Sequence, residues 1–255
     1  MTSGGTEQAL LAGPAMVPLV RAVAALGEAG LGRYAIVGGV AVAVRLGRAH
    51  RATADVDTVV DESSLRAQAV EVVLELPHAQ PHPEGGNKVL LEGTQVEIMP
   101  VQSLYPGQLE DVPDDDALFV ASHSWALETA TVVTVTALED PTVVASAPFA
   151  TAAALVAMKL HALGSRRGDA AVKRASDVWD IYRILLDLDG DGAVRSALAG
   201  GPEELRHLVR DAARRFLSDG VTRSRSWLVA GDESMDSVTA DELRYVAAPL
   251  IAALS

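Results

Sequence analysis

Apolar residues recur along the chain with two different periods, and the change from one to the other divides it. Val17, Val20, Val23, Ala24 and Leu26 follow helical spacing and predict a helix from Pro14 that stops near Gly27 or Gly30. Tyr34–Val37 is a short apolar strand running into Gly38-Gly39, and residues 40–46 resume helical spacing, so the order is strand, glycine turn, helix. Residues 56–60 are β-branched and bounded by acids, a strand signature, and residues 62–76 return to helical periodicity. Residues 78–87 carry proline and glycine signals and read as a loop. It leads to a hairpin of Lys88–Leu91 and residues 95–99, turned at Glu92-Gly93-Thr94. Residues 117–121, 130–138 and 142–145 also read as extended. After Pro148 the pattern is helical throughout, at 149–163, 172–186, 202–217 and 240–254. The last of these opens with Thr239 three residues before Glu242, a capping box in which each side chain satisfies a backbone donor of the other residue. The pattern predicts an α+β protein, with a Gly/Ser/Thr-rich flexible tail at 1–13, a mixed-sheet domain at 14–147 and an α-helical lobe at 148–255.

Composition narrows the chemistry. The 255 residues, 49% of them apolar, are enough to bury a core in one large domain or two lobes. Absence of cysteine removes disulfides, thiolate zinc sites and cysteine nucleophiles, leaves oxygen and imidazole as metal ligands, and fits a reducing cytosol. A net charge of −13 argues against a surface that is nucleic-acid footprint throughout, though a local basic groove remains compatible with it. The first sixteen residues have no basic residue ahead of their short apolar run, so they lack the charged start of a secretory signal and a cytoplasmic protein is expected. Residues 141–158 are uncharged and approach the length of a membrane span, but Pro141, Pro148 and their Ala, Thr and Ser content favour a buried strand followed by a core helix.

Three acids and two glycines form the chemical centre of the pattern. In a strand, side chains at i and i+2 share a face, so Asp55 and Asp57 project together, and Glu97 lies within the apolar strand Val96, Ile98 and Met99. Carboxylates held so close repel unless a cation lies between them, and three of them suit a hard ion such as Mg²⁺ (or Mn²⁺) that shares its shell with phosphate oxygens. Gly38 and Gly39, between a strand and a helix N-terminus, allow backbone N–H groups to approach an anion. Alone, a glycine pair is commonly a tight turn and Asp-x-Asp a solvated strand end. In this order and on these elements they combine a phosphate cradle with an oxygen cage, the parts needed for phosphoryl or nucleotidyl transfer. Asp187-Leu-Asp189-Gly-Asp191-Gly192 begins like a calcium loop but has Leu198 where the bidentate acid belongs, so it reads as a polar turn.

The run Val37-Gly-Gly-Val-Ala-Val-Ala43, then Arg51-x-Thr53-x-Asp55-Val-Asp57 and the acid Glu97, resembles the nucleotidyltransferase superfamily related to DNA polymerase β. In particular it is similar to the AbiEii/MenT-type toxins of bacterial toxin–antitoxin pairs. Their helical lobe carries a lysine and a basic turn leading to an acid pair, matched here by Lys159, Arg166-Arg167, Lys173-Arg174, Asp177 and Asp180. The superfamily's usual Gly-Ser is Gly-Gly in this chain, and Ala-Ser separates Arg174 from Asp177. The resemblance implies a metal-dependent enzyme that transfers a nucleoside monophosphate from a nucleoside triphosphate to an acceptor, a tRNA 3′ end, under restraint by a cognate antitoxin. It assigns catalysis to Asp55, Asp57, Glu97, Lys159 and Asp177, metal binding to the first three, and nucleotide binding to Gly38, Gly39, Arg51, Thr53 and Lys159. Two other readings are an aminoglycoside-type small-molecule nucleotidyltransferase and a catalytically inactive binding module of the same fold. A lysine in an apolar helix can also snorkel, and Asp177 and Asp180, sharing a helix face, can also form a surface salt bridge with Lys173 or Arg174.

Overall fold

The computed structural model describes residues 7–65, 67–101, 109, 112, 114–166, 170–231 and 233–255. The alternating and β-branched runs of the first part form β1 (Glu7–Leu11), α1 (Met16–Glu28), β2 (Tyr34–Val37), α2 (Gly38–Leu46), β3 (Asp55–Asp61), α3 (Ala69–Leu74), β4 (Ala79–Pro81), β5 (Lys88–Leu91) and β6 (Thr94–Val101). They are followed by α4 (Asp114–Thr129), β7 (Thr131–Ala137) and β8 (Val144–Phe149). The described strands make one mixed sheet in the order β1-β7-β8-β2-β3-β6-β5-β4. Pairing is parallel for β1/β7, β2/β8 and β3/β6, and antiparallel for the others. The helical part is α5 (Ala152–Ser165), α6 (Ala171–Leu188), α7 (Ala193–Ala199), α8 (Glu203–Ala213), α9 (Val221–Val229), α10 (Glu233–Asp236) and α11 (Ala240–Ala253). The chain divides into two compact units, Met1–Ser103 with Ser124–Thr151, and Leu104–His123 with Ala152–Ser255.

In the first unit α1 lies on one sheet face, burying Leu19, Val23 and Leu26, and that face supplies Ile36, Val56, Val96 and Phe149. Asp55, Asp57 and Glu97 point to the opposite face, because they alternate with these core residues along β3 and β6. In the second unit α5 is buried almost all round, α6 packs against α5 and α9, and Leu155, Leu160, Ile181 and Ile184 are fully buried. The uncharged run at 141–158 is therefore β8 and the start of a core helix, and no helix among the described residues is long and apolar enough to cross a membrane.

Several expectations from periodicity are corrected. Residues 117–121 lie inside α4 rather than in a strand. Ala117, Ala121 and Trp125 are buried at a spacing of four, and a five-residue apolar run does not separate the two periods. The helix expected at 62–76 is a 3₁₀ turn, Glu62–Ser64, then an extended Leu65 and the short α3. Here Asp61 accepts from the Ser63 N–H at 3.0 Å and Glu62 from the Ala69 N–H at 2.7 Å, local bonds that compete with a continuous helix. The loop at 78–87 contains β4, Phe149 ends β8 instead of starting a helix, and the helix at 202–217 becomes π-helical at Arg214–Ser218. Helices α7, α9 and α10 have no counterpart in the expected set. Glu7–Leu11, within the segment expected to be a loose tail, is a strand with Ala9 and Leu11 buried; residues 1–6 lie outside the described set. Arg45 ties it down, donating to Glu7 Oε2 at 2.5 Å, Thr131 Oγ1 at 2.8 Å and the Phe149 carbonyl at 2.6 Å. The capping box at Thr239 and Glu242 is present.

Candidate functional site

β2 ends at Val37, which stands opposite Asp57 on β3, and the next residue, Gly38, begins α2. Gly38 has φ +68°, and a Cβ there would lie 1.8 Å from Asp57 Oδ2, 2.7 Å from its Cγ and 2.9 Å from its Cβ. Glycine is thus required twice, for the left-handed backbone and for the space that the Asp57 side chain fills. The carboxylate lies at the N-terminus of α2, where backbone N–H groups lack intrahelical partners and the helix dipole favours negative charge.

At Gly39 an added Cβ would stand 2.7 Å from Thr53 Oγ1 and 2.9 Å from Arg51 Nη2. The connection before β3 therefore folds over the glycine pair and delivers a hydroxyl and a guanidinium to it. Where a serine at 39 would bring a hydroxyl from α2, this chain brings one from Thr53. Thr53 also donates at 3.5 Å to Asp55 Oδ1, and Arg51 donates to the Ala52 carbonyl at 2.9 Å.

Asp55 and Asp57 share a face of β3, and the parallel register sets Asp57 opposite Glu97 and Asp55 opposite Gln95 on β6. Across β6, Glu97 is the partner of Lys88 on β5. The Lys88 ammonium is held above its ordinary pKa, first by its 2.5 Å bond to Glu84 and then by the fields of Glu97 and Asp55. Sequence reasoning missed Lys88 as a neighbour of the acids; the signal was the hairpin register. The donors are all hard oxygens, and Asp57 takes its place at Gly38 because no side chain occupies that space. Among the described residues no three Asp, Glu or His side chains already converge into a ligand shell. That fits an ion such as Mg²⁺, which takes one or two carboxylates from a protein and completes its shell with substrate phosphates and water.

In the second unit, Lys159 of α5 is buried, its Nζ 2.9 Å from Asp177 Oδ1 and 2.9 Å from Asp180 Oδ2. Arg166 Nε lies 2.6 Å from Asp177 Oδ2, and the Arg174 guanidinium donates to the Arg166 carbonyl. Two cations thus face two buried carboxylates, the balance such a cluster needs. The acid pair is not the surface salt bridge with Lys173 or Arg174 that helical spacing also allowed. Sequence reasoning had one acid of the pair orienting Lys159 and the other packing against basic neighbours, whereas both Asp177 and Asp180 hold Lys159; Arg167 lies outside the described residues. Nearby in the chain, Phe119, His123 and His161 stack, with centroids 4.0 Å apart for Phe119 and His123 and 6.0 Å for the two histidines. Burial lowers both histidines, His123 to about 4. The calcium-like segment is a turn in which the buried Asp189 accepts from Arg195 N at 3.0 Å and Arg195 Nη1 at 2.9 Å.

Residues 24–223 match the family model described as nucleotidyl transferase AbiEii toxin, type IV TA system. No curated protein matches the chain.

Proposed function

The chain belongs to the AbiEii family of nucleotidyl transferase toxins of type IV toxin–antitoxin systems, and from that premise we propose that it joins a nucleoside monophosphate to the 3′ end of a tRNA. Membership makes it an enzyme that uses nucleoside triphosphates and has an antitoxin partner. The observation that carries the site assignment is the seating of Asp57 against Gly38, at the N-terminus of α2, on the sheet face it shares with Asp55 and Glu97.

In this reading Asp55 and Asp57 hold a divalent cation, Mg²⁺ or Mn²⁺, which supplies positive charge against the triphosphate and the departing pyrophosphate. The amides of Gly38 and Gly39 with the Thr53 hydroxyl and Arg51 orient the phosphates. The acceptor hydroxyl attacks the α-phosphorus, the bond to the bridging α–β oxygen breaks, and pyrophosphate leaves. Glu97 accepts the hydroxyl proton. Within the helical unit Asp177 and Asp180 are positioning residues that hold the Lys159 ammonium. Modification of the tRNA end would block aminoacylation and hence translation, which accounts for toxicity.

The test is transfer of label from each of the four α-³²P nucleoside triphosphates to a total tRNA pool, with and without Mg²⁺, comparing the wild type with Asp57→Ala. Label on tRNA that requires the metal and Asp57 supports the reading. Absence of label with every nucleotide refutes the tRNA acceptor, and aminoglycosides and protein acceptors then become the next substrates to try.

A further inference from the structure

Adjoining the acid–lysine cluster through Arg174, the second unit carries a run of guanidinium groups stacked on aromatic rings. Arg174 of α6 lies with its Cζ 5.4 Å from the Trp227 ring centre, and Arg223 of α9 lies 5.5 Å from the same ring. Arg223 is also 5.7 Å from the ring of Phe216, and Arg215 is 5.2 Å from it. The two rings are 6.3 Å apart. Phe216 is buried and Trp227 half-buried, whereas Arg215 and Arg223 are exposed, so the rings form a floor and the charges face solvent. Among the described residues neither Arg215 nor Arg223 is in an ion pair, in contrast to Arg210 with Asp211 and Arg225 with Asp236.

The backbone is shaped to make this arrangement. Arg214–Ser218 is π-helical, a conformation that is rare and concentrates at functional sites. A Cβ at Gly220 would come within 2.3 Å of the Arg215 carbonyl, so only glycine lets α9 begin so soon after the π turn and bring Arg223 and Trp227 beside Phe216. Stacking on a ring immobilises a guanidinium without neutralising it, which leaves its planar N–H fork preorganised for phosphate.

We propose that this Arg174, Trp227, Arg223, Phe216 and Arg215 array is a binding surface for single-stranded RNA. Charge complementarity picks the partner: Arg215 and Arg223, exposed and in no ion pair among the described residues, stand on a chain of net charge −13. Stacking chooses RNA over an acidic peptide, because guanidinium and indole planes continue into nucleobase stacking, for which a carboxylate side chain has no counterpart. The inference rests on the reading that the acceptor is RNA and adds the surface that grips its strand.

The test uses the full chain carrying Asp57→Asn, without nucleotide, so binding is read apart from transfer. Anisotropy of a fluorescein-labelled 12-nucleotide single-stranded RNA is measured at several salt concentrations, with polyglutamate as competitor. Arg215→Ala/Arg223→Ala should weaken binding roughly tenfold or more and lower the salt slope by about 1.4, at ~0.7 for each lost phosphate contact on a single strand. Arg223→Lys, which keeps charge but not stacking, should restore the slope and only part of the affinity. Circular dichroism and thermal melts of the same variants, compared with the Asp57→Asn parent, report intact folding. RNA affinity equal to that of the parent in the double variant overturns the proposal. So does polyglutamate that binds as tightly as RNA and displaces it, which would assign the surface to an acidic protein. Retained RNA binding with no label transfer in the wild type would refute the tRNA acceptor and leave this surface standing.

Discussion

Replacing Gly38 with alanine adds one methyl group at the point where α2 and β3 approach each other most closely. The new Cβ would sit 1.8 Å from Asp57 Oδ2, about 1.6 Å short of the 3.4 Å where ordinary contact begins. Rotation of Asp57 offers no escape, because its own Cβ is already 2.9 Å away and is fixed by the strand backbone. Either the start of α2 or β3 must shift, and Val37 and Asp57 are register partners, so the shift would be shared with the sheet. The left-handed backbone adds roughly 1–2 kcal/mol for a residue with a Cβ, and overpacking typically ~1–3 kcal/mol. A displacement of about 1 Å at a catalytic group commonly costs around a hundredfold in rate. Gly38→Ala should therefore lose at least about a hundredfold in kcat/KM for label transfer while remaining folded with a lowered Tm. The assay is initial-rate transfer with α-³²P nucleotide beside a thermal melt of the same preparation. Transfer at the wild-type rate in a folded Gly38→Ala protein would refute the argument that Asp57 works from the space glycine leaves.

Gly39→Ser puts a Cβ 2.7 Å from Thr53 Oγ1 and should impair nucleotide binding, whereas Gly39→Ser/Thr53→Ala should recover much of it. A double-mutant cycle on nucleotide Kd checks this, with a coupling of about 0.5–3 kcal/mol expected for groups in contact and none if they are independent. Lys159→Met leaves Asp177 and Asp180 buried without their shared cation and should cost roughly 3–5 kcal/mol in denaturant unfolding, far more than an exposed pair would. His123 is held at about 4, below the ordinary histidine value, so the unfolded chain takes the proton first. Its contribution is complete above about pH 6.5 and is lost as pH falls toward 4, by roughly 3 kcal/mol, with His161 acting in the same direction. Urea melts across that range should show this loss in the wild type and a flatter profile in His123→Leu.

Fold class and much of the geometry of the candidate site were legible because each rests on local rules. Apolar runs of period two and period 3.6 marked β2, β3, β5, β6 and most of the long helices, and side-chain alternation alone set Asp55 and Asp57 on one face. The capping box at Thr239 is a contract between residues three apart and was readable for the same reason. Where a local pattern was ambiguous, as in 117–121, or side chains bonded to nearby backbone, as at Asp61 and Glu62, the reading failed.

What only the tertiary structure decided depends on residues distant in sequence. Register placed Glu97 opposite Asp57 and Lys88 beside it, since pairing is chosen by which strand faces fit and leaves no mark on spacing. The packing of Gly38 on Asp57, and of Thr53 and Arg51 over Gly39, emerged from the turn of the chain between α2 and β3. In the helical unit, helical spacing gave Asp177 and Asp180 a common face, but only the packing of α6 on α5 made them the clamp of Lys159. The stacking of Arg174 and Arg223 on Trp227 likewise joins α6 to α9, elements that have no shared period in the sequence. The sequence by itself determined which groups could do chemistry and on which face of their own element they stand. Their partners were decided by tertiary packing, because the free energy of burying a charge is settled by whatever the rest of the fold brings within reach of it.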